Sequence, residues 1–160
     1  MTFSIRRYVE RDLDEIVELS LLAWEPVFRS FEQVLGSVIY AQVYPDWRTQ
    51  QREGVIKVCT EEGAQILVAE VEGCVVGFVA YTLGKEEPTG EVWLLAVRPD
   101  HQNREIGTAL NVAALEGMKA AGMKLAVVGT GGDDSHAPAR RSYEKAGYTA
   151  LPLVRYYKAL

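Results

Sequence analysis

Two rhythms of hydrophobic spacing divide the chain. Upstream of Gln65, apolar residues recur at three- and four-residue steps; downstream they alternate with polar ones or run together in β-branched blocks. FSIRRY, residues 3–8, is a short strand candidate before the first helix. Leu13, Ile16, Val17, Ser20 and Trp24 share one helical face, and Asp12 followed three residues later by Glu15 has the spacing of a capping box. Pro26 is expected to end or kink that helix. SFEQVLGSVIYAQVY then reads as a second helix, and the stretch from Asp46 to Cys59, after Pro45, as a third. The block carries Trp24, Phe28, Phe31, Tyr40, Tyr44 and Trp47, a density that suits either a core or the wall of a pocket.

Beyond Gln65, QILVAEV and CVVGFVAYTL are strands joined by Glu72-Gly73, a hairpin signal. GKEEPTG is a turn or loop, and GEVWLLAV a third strand with a nearly continuous apolar end. After Pro99 a helix is expected whose inner face is Ile106, Ala109, Leu110, Ala113 and Gly117, stopped by Gly122. KLAVVGT predicts a buried strand, GGDDSHAP a loop, ARRSYEKAG a short helix ending at Gly147, and VRYYKAL a last strand. A strand, helix and strand between Glu91 and Thr130 require a parallel pair with a right-handed crossover, whereas the hairpin requires antiparallel neighbours. The sheet is therefore expected to be mixed. With neither repeat nor linker, the 160 residues read as one domain.

Charge narrows the partners. A formal net charge of −5 argues against a general nucleic-acid binder, which needs a basic stripe to displace counterions, and fits an amine-bearing partner better. Cys59 and Cys74 make no disulfide framework, and with His101 and His136 as the two histidines no metal site is expected. The N-terminus lacks a signal-peptide pattern and no apolar run reaches a membrane-spanning length, so the expectation is a cytoplasmic protein without membrane contact.

The candidate chemistry starts at LLAVRPDHQNREIGTAL, where a buried strand runs through a short loop into a helix. The first helical amides lack internal partners and the peptide dipoles favour negative charge there, so the junction suits phosphate. It is neither a P-loop, since no G-K-[ST] follows, nor a dinucleotide fingerprint, since Gly107 alone of the three glycines is present. VVGTGGD is a poor dinucleotide turn, because Asp133 and Asp134 fall where phosphate should sit; those aspartates could instead attract a cation or keep the loop solvated.

These residues resemble the GNAT superfamily of N-acetyltransferases. Its pattern is a strand ending L-A-V-x-P, here Leu95 to Pro99, then [RQ]-x-x-G-x-[GA] opening a helix, here Gln102-Asn103-Arg104-Glu105-Ile106-Gly107. Its C-terminal block, N-x-x-A-x-x-x-Y-x-x-x-G-[FY], is echoed by His136, Ala139, Tyr143, Gly147 and Tyr148. Glu105 departs from the pattern's glycine, and His136 from its asparagine.

The resemblance implies an α/β (α+β) fold with a mixed, mostly antiparallel sheet whose fourth and fifth strands, parallel to one another, splay apart between flanking helices. Acetyl-CoA would be the co-substrate. Its pyrophosphate would sit on amides from Gln102 to Thr108, and its pantetheine beside Leu95, Ala96 and Val97, the Leu95 amide polarising the thioester. His136, Ala139 and Tyr143 would complete the cofactor site, so the cofactor set is Leu95, Ala96, Val97, Gln102, Asn103, Arg104, Glu105, Ile106, Gly107, Thr108, His136, Ala139 and Tyr143. The resemblance also makes Tyr143 the general acid for the thiolate and Glu91 the general base. At two-residue steps Glu91 would share a strand face with Trp93 and Leu95; otherwise it is a polar residue at a strand start.

The acceptor would be a small-molecule amine attacking directly in a ternary complex, in a pocket walled by Trp24, Phe28, Tyr40, Tyr44 and Trp93. A CoA-binding sensor without turnover, a protein or peptide amine as acceptor, a longer acyl donor and pairing as a homodimer remain open. For Glu105 the expectation is a helical backbone, a side chain turned outward and a loss of cofactor affinity of at most about tenfold, with Arg104 offsetting its charge.

Overall fold

In the computed structural model, which describes residues 2–61 and 63–160, the strands are β1 (Ser4–Arg7), β2 (Gln65–Val71), β3 (Cys74–Leu83), β4 (Thr89–Val97) and β5 (Leu125–Val128). They form one sheet in the order β1-β2-β3-β4-β5. The first three pairings are antiparallel and β4 pairs parallel with β5, as the strand, helix and strand spacing requires. Helices α1 (Leu13–Val43) and α2 (Trp47–Thr60) precede the β2–β3 hairpin, α3 (Ile106–Ala120) crosses from β4 to β5, and α4 (Ala137–Lys145) follows. At the hairpin, Glu72 (φ 51°) and Gly73 (φ 83°) are both left-handed, the geometry that matches strand twist.

Two apolar layers hold the sheet. Ile16, Leu19, Val55, Val68 and Phe78 pack under α1 and α2; Val79, Tyr81, Ile106, Leu110 and Met118 pack on the α3 side. On α3 the buried stripe is Ile106, Leu110, Asn111, Ala114 and Met118. The helix is thus rotated from the expected face, leaving Ala109, Ala113 and Gly117 half-buried. A tyrosine causes part of this: a Cβ on Gly117 would lie 2.1 Å from the Tyr81 hydroxyl, so that turn of α3 is thin where Tyr81 stands. Gly122 (φ 85°) closes the helix by donating to the Lys119 carbonyl while Met123 donates to that of Met118.

Three further departures from expectation lie toward the two ends of the chain. Pro26 neither ends α1 nor starts a new helix; the break lies at Gly36 (φ 76°, ψ 159°), a backbone state that only glycine adopts freely. The capping box does not form. The Asp12 carboxylate turns back to the Val9 amide (2.9 Å) and to Arg6 (2.7 and 3.0 Å), while Glu15 accepts from the Val75 amide of β3 at 2.9 Å. Asp46, by contrast, caps α2 through the Thr49 amide. Finally, VRYYKAL is not a strand: residues 148–160 carry no regular structure, and Leu151, Leu153, Val154 and Tyr156 are exposed. An alternating apolar pattern makes a strand only where a neighbouring edge supplies its hydrogen bonds.

Candidate active site

Register decides where the cleft opens. Along the β3–β4 pair, Ala80 faces Leu94 but Tyr81 faces Val92, so Trp93 is an extra residue on β4. The parallel pairing with β5 covers Thr89 to Val92 and stops at this bulge. Past it, β4 runs on to Val97 bonded to β3 alone, and its other edge faces a cleft of about 850 Å³. Trp93 to Val97 form one wall, Val128 to Thr130 at the end of β5 the opposite one, and residues 101–103 and 105–108 the floor. The splayed parallel pair expected of the fold is this gap.

At the floor, Gln102 holds the loop to the strand by donating to the Val97 carbonyl at 3.1 Å. Two residues then take left-handed backbones, Asn103 (φ 60°) and Glu105 (φ 62°), before α3 begins at Ile106. Contrary to the expected helical backbone, Glu105 is left-handed, a conformation that a glycine adopts without strain. Its side chain does turn outward and pairs with Lys145 Nζ of α4 at 2.7 Å. That lysine holds the Glu105 carboxyl below its usual range. Gly107 is not required by the protein's own packing: a Cβ there would meet Ser142 Oγ and Val97 Cγ2 at 3.6 and 3.7 Å, ordinary contact distances.

The structure gathers most of the sequence-derived residues around the one cleft. Leu95, Ala96, Val97, Gln102, Asn103, Glu105, Ile106, Gly107, Thr108, His136, Ala139 and Tyr143 line it, with Trp24 and Trp93; Arg104 is in the same loop and exposed. Burial, and then Tyr148 packed edge-on at 5.8 Å, push the Tyr143 phenol up to about 12. Asn111, buried in α3, donates to Ser142 Oγ at 3.0 Å and ties α4 to the floor.

Four of the residues lie elsewhere. Phe28, Tyr40 and Tyr44 do not line the cleft but join Phe31 and Trp47 in an aromatic cluster between α1 and α2, with Phe28 stacked on Trp47 at 4.5 Å. Glu91 is exposed at the rim, outside the cleft lining, and accepts from the indole Nε1 of Trp93 at 3.4 Å. The bulge also breaks the two-residue step: opposite Thr82, Glu91 falls on the face of Leu94 and Ala96, while Leu95 packs on the α3 side.

One constellation was not anticipated. Asp133 points inward and accepts from Ser30 of α1 (2.7 Å), from Ser135 and from His136 Nδ1 (2.5 Å), so its carboxylate is held within the structure rather than left in solvent. Burial opposes its ionisation, but hydrogen bonds from Ser135, Ser30 and His136 outweigh that and hold its carboxyl well below the usual range. The spacing Asp133-x-x-His136 in a tight turn was the available signal. Ser30 could not have been found, since it lies 103 residues away in sequence.

Comparison with known proteins bears on the same region. The profile of the Acetyltransferase (GNAT) family matches residues 20–148. The chain is 32% identical over 93 residues to the mycothiol acetyltransferase of Sanguibacter keddieii, covering 55% of this chain and 29% of that protein. It is 29% identical over 148 residues to the S-(2-succino)cysteine N-acetyltransferase of Bacillus subtilis, covering 89% and 82%. The PaiA N-acetyltransferase of Thermoplasma acidophilum, solved with coenzyme A, shares the fold with a TM-score of 0.69 at 16% identity over 94% and 92% of the two chains. Against the Sanguibacter protein the chain spans well under half the relative's length.

Proposed function

Because the chain belongs to the acetyltransferase (GNAT) family, we propose that it transfers an acetyl group from acetyl-CoA to a primary amine of a small molecule. The observation that carries this reading is the unpaired edge of β4 from Trp93 to Val97, opening on a cleft that ends at the first amides of α3. An extended pantetheine chain can take the hydrogen bonds that β5 leaves unmade, and a pyrophosphate can take the helix amides. The Gly107 position, which the protein itself does not need to be small, leaves room for that approach.

A thioester is already activated, so the protein has to present a neutral amine, stabilise the oxyanion and return a proton to sulfur. A lysine-like amine with a pKa of about 10.4 is neutral in less than roughly one part per thousand at pH 7, so a proton acceptor is needed. In this reading the Leu95 backbone N–H donates to the thioester carbonyl and Tyr143 protonates the thiolate. Glu91, at the rim rather than in the wall, can act as a base only through intervening water. Trp24, Trp93, Pro26 and Val27 offer an apolar surface for the acceptor.

Thiol release from acetyl-CoA across a panel of primary amines tests this reading. Turnover on one class of small amine is the expected result. Acetyl-CoA binding without thiol release against any amine would instead favour a sensor of CoA.

A further inference from the structure

We infer that His136, held by Asp133, is the group that takes the proton from the acceptor amine. The inference rests on the acyl-transfer reading and names a residue that neither the family pattern nor that reading supplies, because His136 stands where the pattern has an asparagine.

The pair is built rather than incidental. Both side chains are about 15% exposed, and Asp133 Oδ1 lies 2.5 Å from His136 Nδ1. The other carboxylate oxygen is occupied by Ser30 from α1 and Ser135 from the loop, so Asp133 has a fixed orientation toward the ring. Arg140 of α4 locks the loop backbone by donating to the carbonyls of Gly131 (2.6 Å) and Asp133 (2.8 Å). Gly131 itself must be small: a Cβ there would stand 2.4 Å from His136 Nδ1 and 2.6 Å from Asp133 Oδ1. Phe31 stacks on the imidazole at 5.7 Å and 27°. The charged groups around the ring are Asp133 and Asp134 from its own loop and Arg140 and Arg141 from α4, while α1 presents Ser30 and Phe31.

This arrangement fixes the chemistry of the ring. An ionised carboxylate on Nδ1 selects the tautomer with its hydrogen there, which leaves the Nε2 lone pair to accept a proton. The ring's hydrogen bonds to described residues are made by Nδ1, and His136 lines the same cleft as Leu95 and Tyr143. In the transfer, the amine lone pair forms the C–N bond and the C–S bond breaks with its electrons on sulfur. The proton lost by nitrogen goes to Nε2, sulfur takes a proton from Tyr143, and the two residues re-equilibrate with water. Orientation of an imidazole by a buried carboxylate is the logic of other acyl-transfer sites, recognised by geometry rather than sequence position.

The test uses the full chain, acetyl-CoA and two acceptors, an alkylamine turned over in the panel and methoxyamine, which is neutral at pH 7. For His136→Gln the turnover number on the alkylamine should fall about 100-fold, the acetyl-CoA Kd should stay within about threefold of wild type, and the loss on methoxyamine should be about tenfold or less, because that nucleophile arrives deprotonated. Nitrogen NMR of the wild-type imidazole should show Nδ1–H with an unprotonated Nε2, and Asp133→Asn should abolish that preference. Wild-type turnover in His136→Gln, a matching loss of acetyl-CoA affinity, equal defects on both acceptors, or an Nε2–H tautomer would each overturn the assignment. Absence of thiol release from wild type with every amine would overturn the transfer reading itself, a distinguishable result.

Discussion

Glu105 Oε1 and Lys145 Nζ meet at 2.7 Å, tying the residue that caps α3 to the last residue of α4 across the floor of the cleft. Both side chains are more than half exposed, so the pair is screened and its effect on stability is small. Its effect on an anionic ligand is larger, because the lysine draws the carboxylate away from the helix amides. Lys145→Ala should weaken acetyl-CoA binding severalfold, and more so at low salt, as titration calorimetry at two ionic strengths would show.

Glu105→Gly should do the reverse. It removes the charge and relieves a left-handed backbone at φ 62°. The expected gain in acetyl-CoA affinity is at most about tenfold, with a rise in melting temperature. A hundredfold gain would show that the glutamate impairs the site and would favour the sensor reading.

Tyr143→Phe should cut the turnover number about 100-fold while leaving acetyl-CoA affinity nearly unchanged. With its phenol pushed up to about 12 by burial and Tyr148, Tyr143 stays protonated through the working range of the protein. No alkaline loss of rate should therefore arise from this residue below pH 10. The same shift has a stability consequence. A group whose folded value lies above its unfolded value of about 10 stabilises the fold below that value and loses its contribution as pH rises toward 12. Thermal melts of wild type and Tyr143→Phe should converge over that interval.

How far the sequence carried depended on whether a residue's partner lies close by in the chain. The hairpin at Glu72-Gly73, the cap at Asp46 and the stop at Gly122 are local, and the spacing shows them. The floor of the cleft is legible for the same reason, since strand, loop and helix are contiguous from Leu95 to Thr108. Glu91 misled because two-residue alternation holds only in an unbulged strand, and nothing in GEVWLLAV marks Trp93 as the extra residue. Phe28, Tyr40 and Tyr44 have the composition of a pocket wall and the geometry of a seam between two helices. Asp12 had a plausible local partner three residues on, but Arg6 offered a stronger, charged one.

Asp12→Ala should cost about 1–3 kcal/mol, because it leaves the Val9 amide without its acceptor and Arg6 with Glu70 (2.8 Å) in place of two carboxylates. Arg6, then the Val9 amide, hold the Asp12 carboxyl below its usual value against the cost of burial. A depressed folded value means the stabilisation is present above the unfolded pKa of about 3.9 and is lost as pH falls through the folded one. Urea midpoints of wild type and Asp12→Ala should differ at pH 7 and approach each other on acidification.

Gly107→Ala separates what the fold needs from what the ligand needs. Gly107 has no left-handed backbone, and the added methyl would sit in ordinary contact with Ser142 and Val97. Alanine is also the better residue in a helix, by about 0.5–1 kcal/mol in an interior position and less in a first turn. On these grounds the variant should be as stable as wild type or slightly more so in thermal melts. Acetyl-CoA faces the opposite condition, since the Gly107 amide lies at the floor where a pyrophosphate would approach the backbone. A methyl group there blocks that approach, and the Kd should rise at least about tenfold. An unchanged Kd with an unchanged melting temperature would place the phosphates elsewhere in the cleft and detach the anion site from the start of α3.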